Sequence, residues 1–552
     1  MNAALNKDAY KVFHPFAYNP KVTHVFSNMT PRFGKHSNVK GNEEVLFVGL
    51  QPYLLETLVN TWNRDFFWQP KDAVCGDYQR VVSAMLGKTV PVDHIEALHD
   101  LGYLPICVKA LPEGSLVPYN VPVYTIFNTV EGFGWVTNML ETDMSAETWG
   151  IMTSATTAFA YRKRFEQEPE LKASGMIKFM GHDFSYRGMF GRQAAAMSGF
   201  GHLCSFVGSD TIPAALYAEK YYGAQIDKEL VFASVDATEH SIMCSYGTEG
   251  ELESLRHLIE DVTPSGIISI VSDTWDFWKL VTEYLPSLKD KIMTREGTVV
   301  IRPDSGDPVK ILTGYTFKSL EALSKELELL VEDFVEPWEL HKLELEVEVV
   351  KTNGKYFTYS IEYTAYPEGG YSHEPEIKLL EEVPEHEVKG LIQCLYETFG
   401  GTATESGLIA LDSHIGAIYG DSITLERQDQ IIKRLKAKGF LPSVVLGIGS
   451  FTYQYVTRDT HGTAVKATDT QHGTGNHVAI SKDPKTDSSK KSAKGLLMVV
   501  KDENGRFQLK ADVTPEEEAS EANELKVVFK DGQVYNLTTL NEIRERVDSY
   551  FA

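Results

Sequence analysis

Short apolar runs recur between about residues 175 and 460, and polar residues or glycines and then an amphipathic stretch follow each run. Runs of Val and Ile without alternation are typical of parallel strands that are buried on both faces of a sheet. Because helical spacers separate the runs, the pattern predicts an α/β fold with a parallel sheet. The five runs are LVFASV (230–235), GIISIVSD (266–273), TVVIRPDSGDP (298–308), GAIYGDS (416–422) and PSVVLGIGS (442–450).

Polar residues or glycines stand where each of these runs ends. In parallel α/β sheets the chemistry is usually located just beyond the carboxyl ends of the strands. One polar strand end alone is better interpreted as an ordinary turn, but five together indicate a site. The residues at these ends are Glu239 and His240, Ser272 and Asp273, 302–306, Gly420 and Asp421, and 447–450.

The remaining pattern predicts strands and turns over 104–129, then a long helical stretch over 131–167. Residues 320–406 are interpreted as an insertion, with an acidic helix (321–334) and a hairpin (345–366) turning at Asn353-Gly354. A basic, loop-like stretch covers 482–495, and a second hairpin (527–535) turns at Asp531-Gly532.

Composition and charge exclude several classes of protein. The 552 residues are 43% hydrophobic and 24% charged, which is ordinary for a globular chain. The net charge of −24, from 53 basic and 77 acidic residues, argues against a general nucleic-acid or membrane-surface binder. An anionic small substrate would need a local basic pocket. The five cysteines are scattered, and we find no signal peptide or membrane span, so we expect reduced thiols and a cytoplasmic location.

Three motifs carry candidate chemistry, and each has a structural alternative. In RPDSGDP (302–308) the arginine suits phosphate or an aromatic ring and the aspartate suits ribose or Mg²⁺, but the motif also fits a capped turn before a helix. In HDFSYRG (182–188), Phe184 and Arg187 could hold a flat heterocycle beside a phosphate, or be a core phenylalanine and a surface arginine. His240 could be a general base, a metal ligand, a phosphate acceptor or none of these.

The remaining strand ends add carboxylates and glycines. Asp273 and Asp421 with nearby arginines suit Mg²⁺ and a pyrophosphate better than zinc, since softer ligands are missing. GIGS (447–450) resembles a glycine cradle for phosphate at a helix start, without matching the full dinucleotide or P-loop fingerprints.

Ten motifs in order carry a specific resemblance that covers nearly the whole chain except 320–406. The motifs are DAYKV (8–12), LPEGSLVP (111–118), HDFSYRG (182–188), GSDT (208–211), Glu239-His240, IVSDTWD (270–276), IRPDSGDP (301–308), GDS (420–422), GIGS (447–450) and TRD (457–459). With these motifs the chain resembles the nicotinamide phosphoribosyltransferase family of type II phosphoribosyltransferases. Two motifs depart from the family pattern, which has GSGGG where this chain has GIGSF and GDGVD where it has GDSIT.

The resemblance implies an irregular α/β barrel with a second α/β domain built from both chain ends. We place the sandwich domain at 1–150 and 461–552 and the barrel at 151–460. The implied activity is that of a pentosyltransferase, which joins nicotinamide to phosphoribosyl pyrophosphate and gives nicotinamide mononucleotide and pyrophosphate in NAD salvage. It implies Mg²⁺ as cofactor, ATP as co-substrate and a homodimer with shared active sites. The alternatives are nicotinate phosphoribosyltransferase and a non-enzymatic binding or signalling role.

The resemblance also implies a role for individual residues. Phe184 and the partner's Tyr10 would stack on the nicotinamide ring, Arg302 would contact ring and carboxamide, and Asp210 would accept the carboxamide N–H. Because nicotinate carries a like charge, Asp210 would favour the amide.

His240 would be phosphorylated by ATP, Asp273 would orient it, and Asp304 would complete the catalytic set. Asp273 and Asp304 are the implied Mg²⁺ ligands. The implied contacts to phosphoribosyl pyrophosphate are Arg32, Arg187, Asp304, Gly420, Asp421, Gly449, Ser450, Arg458, Lys466 and Lys482, of which Arg32, Arg458, Lys466 and Lys482 would come from the partner.

Overall fold

The computed structural model describes residues 2–332, 347–362, 376–482 and 492–552. The chain divides into two compact units. The first unit consists of Met1–Gln167, Ile177–Ala233 and Gly449–Ala552, and the second of Glu168–Met176 and Ser234–Ile448. The first unit is therefore assembled from both ends of the chain and one internal segment.

The second unit contains the predicted parallel sheet. Four of the five apolar runs form its strands, and a two-residue strand at Asp236–Ala237 completes one edge. The neighbouring strands of this sheet pair in parallel, as the continuous Val and Ile pattern predicts. The order across the sheet is Val445–Ile448, Ile415–Tyr419, Val299–Arg302, Ile268–Val271 and Asp236–Ala237.

The fifth run, LVFASV (230–235), forms no regular strand, so that prediction was wrong. The carbonyl oxygens of Leu230 and Val231 accept hydrogen bonds from the guanidinium of Arg544 at 2.8 and 2.6 Å. Only Ala233 makes a β-bridge, to Gly208. The side chain of Arg544, from the far end of the chain, therefore donates to carbonyl oxygens that would otherwise accept from a neighbouring strand.

A seven-stranded sheet forms the centre of the first unit. The long first strand pairs in antiparallel fashion with Ala464–His472 on one side and Tyr124–Asn128 on the other. Both chain ends thus enter one sheet, which confirms the prediction of an α/β domain built from both ends. The sheet order is Asn476–Ala479, Ala464–His472, Val22–Thr30, Tyr124–Asn128, Ile106–Ala110, Lys526–Lys530 and Gln533–Val534.

Helices cover this sheet and bury its apolar side chains. The predicted long helical stretch appears as two helices, Gly134–Met139 and Glu141–Glu166. The first unit also contains the short parallel strands Gly181–Asp183 and Gly208–Ser209, which pair with one another. Its other longer helices are Lys71–Leu86, Asp93–Leu101, Gly191–Leu203, Ile212–Tyr222 and Leu540–Ser549.

The insertion has the predicted elements as far as the structure describes it. The helix Leu320–Glu332 is present, and the hairpin pairs Val349–Thr352 with Lys355–Glu362. Its turn residues Asn353 and Gly354 have φ values of 49° and 78°, as a two-residue hairpin turn requires. Residues 333–346 and 363–375, and 483–491 of the predicted basic loop, lie outside the described residues.

The second predicted hairpin is also confirmed, since Lys526–Lys530 pairs with Gln533–Val534 across Asp531-Gly532. The second unit's remaining helices support its sheet, and the longest is Leu425–Ala437, followed by Leu391–Phe399 and Glu251–His257. No helix among the described residues combines the length and apolar character that crossing a bilayer demands. The five cysteines, all of them described, are free thiols.

Candidate active site

The strand ends of the second unit bring four of the predicted residues together. His240 begins a short helix after Asp236–Ala237, and its Nε2 lies 3.9 Å from Asp273 Oδ1 and 3.9 Å from Asp304 Oδ2. Arg302 lies on the same side, with Nε 3.7 Å from Asp304 Oδ1. These side chains come from three neighbouring parallel strands, which explains why residues distant in the chain converge.

Asp273 has a structural role besides any chemical one. Its Oδ2 accepts hydrogen bonds from the backbone N–H groups of Asp304 at 3.1 Å and Ser305 at 2.7 Å. The carboxylate therefore holds the turn that follows the strand Val299–Arg302. The next helix begins at Pro308 and is capped by Asp307, whose side chain accepts from Val309 N–H at 2.9 Å. The structure thus confirms the interpretation of RPDSGDP as a capped turn before a helix.

The backbone at Gly420 lies directly against the Asp304 carboxylate. A Cβ atom at Gly420 would lie 1.7 Å from Asp304 Oδ1, so no other residue fits without displacing the carboxylate. The hydroxyl of Tyr419 donates to the carbonyl oxygens of Ser305 and Gly306, which fixes the same turn from the neighbouring strand. Glycine at 420 is therefore a steric requirement of the carboxylate's position.

The carboxylates of the second unit are crowded. Burial raises the pKa of Asp304, and the charges of Asp273 and Asp421 act in the same direction, whereas Arg302 and His240 oppose them. Asp273 Oδ1 and Asp304 Oδ1 are buried and accept no hydrogen bond from the described residues. Two buried carboxylate oxygens without donors are suited to a cation.

This donor set fits Mg²⁺ that is also bound by substrate. Among the residues that the structure describes, no three His, Cys, Asp or Glu side chains are arranged to hold a metal ion by themselves. Mg²⁺ characteristically takes one or two protein carboxylates and completes its shell with water and substrate phosphates. Asp273 and Asp304 would therefore supply the protein carboxylates that such a Mg²⁺ site needs.

The first unit contains a second group of predicted residues. Phe184 follows the strand Gly181–Asp183, and its ring centroid lies 4.5 Å from that of His182 with 32° between the planes. His182 Nε2 lies 2.9 Å from Asp210 Oδ1. The imidazole thus connects the predicted ring-stacking residue with the predicted carboxamide acceptor. His182 was missed in the sequence, although its i, i+2 spacing from Phe184 is that of residues on one face of a strand.

The two predicted phosphate-binding segments of this unit touch. Arg187 is exposed on the turn Tyr186–Gly188, and Gly449 precedes a helix that begins at Ser450. A Cβ atom at Gly188 would lie 2.0 Å from Ser450 Oγ. Ser450, which departs from the family's glycine, is therefore accommodated because residue 188 has no side chain.

The four predicted basic residues also cluster in the first unit. Burial is the main cause that lowers the pKa of Lys466, the charges of Arg32, Arg458 and Lys482 lower it further, and Glu141 opposes them. Glu141 also pairs with the buried Lys11. These cations repel one another, and a bound polyanion would reduce that repulsion.

Tyr10 lies in the N-terminal segment of the first unit. Its side chain is 63% exposed, and its neighbours among the described residues are the ring of His14, at 5.7 Å between centroids, and the ammonium of Lys11, 5.3 Å from its centroid. Lys11 is held by Glu141, which also lies 4.0 Å from Lys466. Lys11 and Glu141 therefore connect Tyr10 to Lys466, one member of the basic cluster.

The chain is similar to known proteins both in fold and in sequence. The fold matches that of a nicotinate-nucleotide pyrophosphorylase from Pyrococcus furiosus, with a TM-score of 0.51, 13% identity, and coverage of 99% of this chain and 94% of that one. The nicotinate phosphoribosyltransferase (NAPRTase) family model matches residues 179–533. The chain belongs to the NAPRTase family.

Two relatives match nearly the whole chain. A nicotinamide phosphoribosyltransferase from Acinetobacter baylyi is 42% identical, with 98% of this chain and 96% of that protein covered. One from Xanthomonas campestris is 27% identical, with coverage of 99% and 98%. These matches confirm the resemblance and the fold class that the sequence predicts.

Proposed function

We propose that this chain is a nicotinamide phosphoribosyltransferase that serves NAD salvage. The pyridine nitrogen of nicotinamide forms a bond to C1′ of phosphoribosyl pyrophosphate, the bond from C1′ to the pyrophosphate oxygen breaks, and pyrophosphate leaves. The observation that supports nicotinamide as the pyridine substrate is the position of the Asp210 carboxylate. Its Oδ1 lies 2.9 Å from Nε2 of His182, and the His182 ring packs on Phe184. A carboxylate at that position accepts the carboxamide N–H of nicotinamide and repels the carboxylate of nicotinate.

The strand-end residues of the second unit would bind the sugar and its charged substituents. Asp273 and Asp304 would hold Mg²⁺, which neutralises charge on the departing pyrophosphate when it is bound. Arg302 is buried, and it donates to the carbonyl oxygen of Thr238, so its fork has a fixed direction. Gly420 leaves room for the Asp304 carboxylate, and Asp421 lies on the ribose side.

The pyridine is oriented by residues of the first unit. Phe184 supplies a flat apolar face, and stacking orients the ring nitrogen for attack on C1′. Arg187 and the backbone at Gly449 and Ser450 would bind the 5′-phosphate, where the absence of a side chain at Gly188 brings the two segments together. Fixed positive groups of this kind stabilise charge without reorganisation during the reaction.

His240 would couple the transfer to ATP. An imidazole nitrogen of His240 attacks the γ-phosphorus of ATP, the N–P bond forms, the bond to the bridging oxygen breaks, and ADP leaves. Three features support this role. The side chain is 49% exposed, its Nδ1 lies 3.1 Å from Thr274 Oγ1, and its Nε2 faces Asp273 and Asp304. Carboxylates at that distance stabilise the cationic imidazole that transfer produces.

Replacing His240 by alanine is expected to abolish stimulation by ATP and to leave basal transfer measurable. The nucleophile for the γ-phosphate is removed, whereas the residues proposed to bind the pyridine remain. The measurement is the initial rate of mononucleotide formation with and without ATP, together with radiolabelling from γ-labelled ATP. His257→Ala is the matched control, since His257 is exposed to the same extent and pairs with Asp261. Equal stimulation of the His240→Ala variant and the parent would exclude phosphorylation at this position.

We further propose a homodimer in which the partner completes each active site. The support is the cluster of Arg32, Arg458, Lys466 and Lys482, together with the exposure of Tyr10. In the family resemblance these residues serve the partner's substrate. A local cluster of four cations gives an acidic chain the positive field that a polyanionic substrate needs.

A turnover assay tests the proposed activity as a whole. Purified protein is incubated with nicotinamide, phosphoribosyl pyrophosphate and Mg²⁺, and nicotinamide mononucleotide and pyrophosphate are measured. The same assay with nicotinate tests the alternative substrate, which relatives named for nicotinamide do not favour. Failure to form either mononucleotide would support a binding role instead.

Asp210→Asn is expected to lower the preference for nicotinamide over nicotinate by about 10-fold to 100-fold. Two unit charges about 4 Å apart at a protein surface interact by about 4 kcal/mol, and solvent and counter-ions reduce the part that discriminates. The ratio of kcat/KM for the two pyridines measures the effect. Asp227→Asn, an exposed carboxylate of the same unit, is the control and should leave the ratio unchanged. An unaltered ratio in Asp210→Asn would mean that charge at this position does not select the substrate.

A further inference from the structure

We propose that His202 is a positioning residue that connects the pyridine end of the candidate active site to the segment proposed to bind the 5′-phosphate. This inference rests on the proposed function and names a fully buried residue that neither substrate reaches. The effect of His202 on the reaction is transmitted through Gly208 and Tyr453, which hydrogen-bond to the two nitrogens of its ring.

Both nitrogens of the His202 ring have a buried partner. Nε2 lies 2.8 Å from the carbonyl oxygen of Gly208, and Nδ1 lies 2.7 Å from the hydroxyl oxygen of Tyr453. Because a carbonyl oxygen can only accept, Nε2 carries a proton and donates it to Gly208. Burial lowers the pKa of His202 and raises that of Tyr453, so the ring is neutral and the hydroxyl keeps its proton. The Tyr453 hydroxyl therefore donates to Nδ1.

The two bonds join segments that are far apart in the chain. Gly208 belongs to the strand Gly208–Ser209, and the residue that follows this strand is Asp210. Tyr453 belongs to the helix Ser450–Gln454. One imidazole thus connects the segment that carries the proposed carboxamide acceptor with the segment that carries proposed phosphate contacts.

Packing keeps this connection stiff. The ring centroid of His202 lies 5.2 Å from that of Phe206, with 25° between the planes, and 5.9 Å from that of Tyr453, at 79°. Gly208 is equally confined, since a Cβ atom there would lie 2.9 Å from the carbonyl oxygen of Gly181. In a close-packed interior a shift of Tyr453 is passed on to the strand instead of being absorbed by a loose ring.

The distance between the two segments decides whether the pyridine nitrogen meets C1′. In the proposed function Asp210 and Phe184 hold the pyridine, whereas Gly449 and Ser450 hold the sugar through its 5′-phosphate. A displacement of one reactant by about 1 Å can cost about two orders of magnitude in rate. Loss of the buried connection should therefore slow the chemical step more than it weakens the binding of either substrate.

Tyr453→Phe and Tyr222→Phe form a matched pair of variants. Each removes one hydroxyl oxygen from a buried tyrosine of the first unit, and the Tyr222 hydroxyl donates to Glu113 at 2.7 Å. Both variants lose a buried hydrogen bond, so both should lower the melting temperature. Only Tyr453→Phe should lower the single-turnover rate constant at fixed ATP, by about tenfold, with KM for both substrates within about twofold of the parent.

A second variant tests whether the bond between His202 and Tyr453 is responsible. His202→Gln places an amide N–H near the position of Nε2, which preserves the bond to Gly208, and removes the acceptor at the position of Nδ1. The double variant with Tyr453→Phe should be no slower than either single variant, because both substitutions remove the same bond. Rate losses that multiply in the double variant would contradict the proposal.

Hydrogen–deuterium exchange tests the connection in the parent protein. The amides of Ser209 and Asp210 donate to the carbonyl oxygens of Ala233 and Asp183, both at 3.0 Å, so their exchange reports opening of this strand. Phosphoribosyl pyrophosphate and Mg²⁺ without a pyridine should slow their exchange at least about twofold in the parent and not in Tyr453→Phe.

Two results would overturn the proposal. One is exchange at Ser209 and Asp210 that phosphoribosyl pyrophosphate leaves unchanged in the parent, which needs no variant to fold. The other is an equal single-turnover rate in Tyr453→Phe and Tyr222→Phe. Absence of mononucleotide formation by the parent would instead contradict the proposed function, so the two failures are distinguishable.

Discussion

Gly420→Ala is expected to lower kcat/KM for nicotinamide mononucleotide formation by about 100-fold or more. The new Cβ would lie 1.7 Å from Asp304 Oδ1 and 2.8 Å from its Cγ, so the carboxylate must move by about 1 Å or more. Displacement of a positioned group by about 1 Å can cost about two orders of magnitude in rate. The proposed Mg²⁺ ligand would be displaced although no ligand atom has been changed.

The control for this prediction is Gly416, on the strand Ile415–Tyr419 that leads to Gly420. A Cβ at Gly416 would meet only methyl groups of Thr298 and Val300, at 3.6 and 3.7 Å, which are ordinary contacts. Gly416→Ala should therefore retain near-parental activity and thermal stability. Steady-state kinetics over a range of Mg²⁺ concentrations should show that Gly420→Ala needs more of the ion. Parental kinetics in Gly420→Ala would disprove the assigned role of the Asp304 carboxylate.

Arg544→Met is expected to destabilise the first unit by about 3 kcal/mol. Arg544 is partly buried, and its guanidinium donates to the carbonyl oxygens of Leu203, Leu230 and Val231 at 2.8, 2.8 and 2.6 Å. Burial lowers the pKa of Arg544 to about 10, so the group is still charged at neutral pH. Methionine fills similar space but leaves three carbonyls without donors, each at a cost of about 1–3 kcal/mol before relaxation.

The measurement is urea-induced unfolding followed by intrinsic fluorescence, with the midpoint and slope fitted separately for each transition. Arg506→Met is the control, because Arg506 is 58% exposed and lies 3.9 Å from Glu44, a surface pair of small worth. Equal midpoints for the two variants would show that the Arg544 guanidinium does not hold the 230–231 segment.

The local elements were predictable because their causes are local. The turn residues Asn353-Gly354 and Asp531-Gly532 adopt positive φ values, and short polar or glycine side chains tolerate that backbone at any place in a chain. The parallel strands were equally visible, since burial on both faces demands continuous apolar runs. Residues 230–235 are the exception, because their apolar pattern also predicts a strand, but they form no regular strand in the structure.

Some contacts of the candidate site were predictable from the sequence, and others were not. His240, Asp273 and Asp304 follow strands, and strands that pair in parallel bring their ends together, so their proximity was predictable. The bond between His182 and Asp210 joins residues 28 positions apart, and only the pairing of two short strands makes it possible.

By itself the sequence determined the fold class, the hairpins and the motifs that mark the family, because those depend on apolar periodicity, on turn chemistry and on residue identity. The tertiary structure alone decided which backbone carbonyls Arg544 binds, why residue 420 must lack a side chain, and which ring holds Asp210. These depend on contacts across tens to hundreds of residues, and no local pattern records the distance between two atoms that folding brings together.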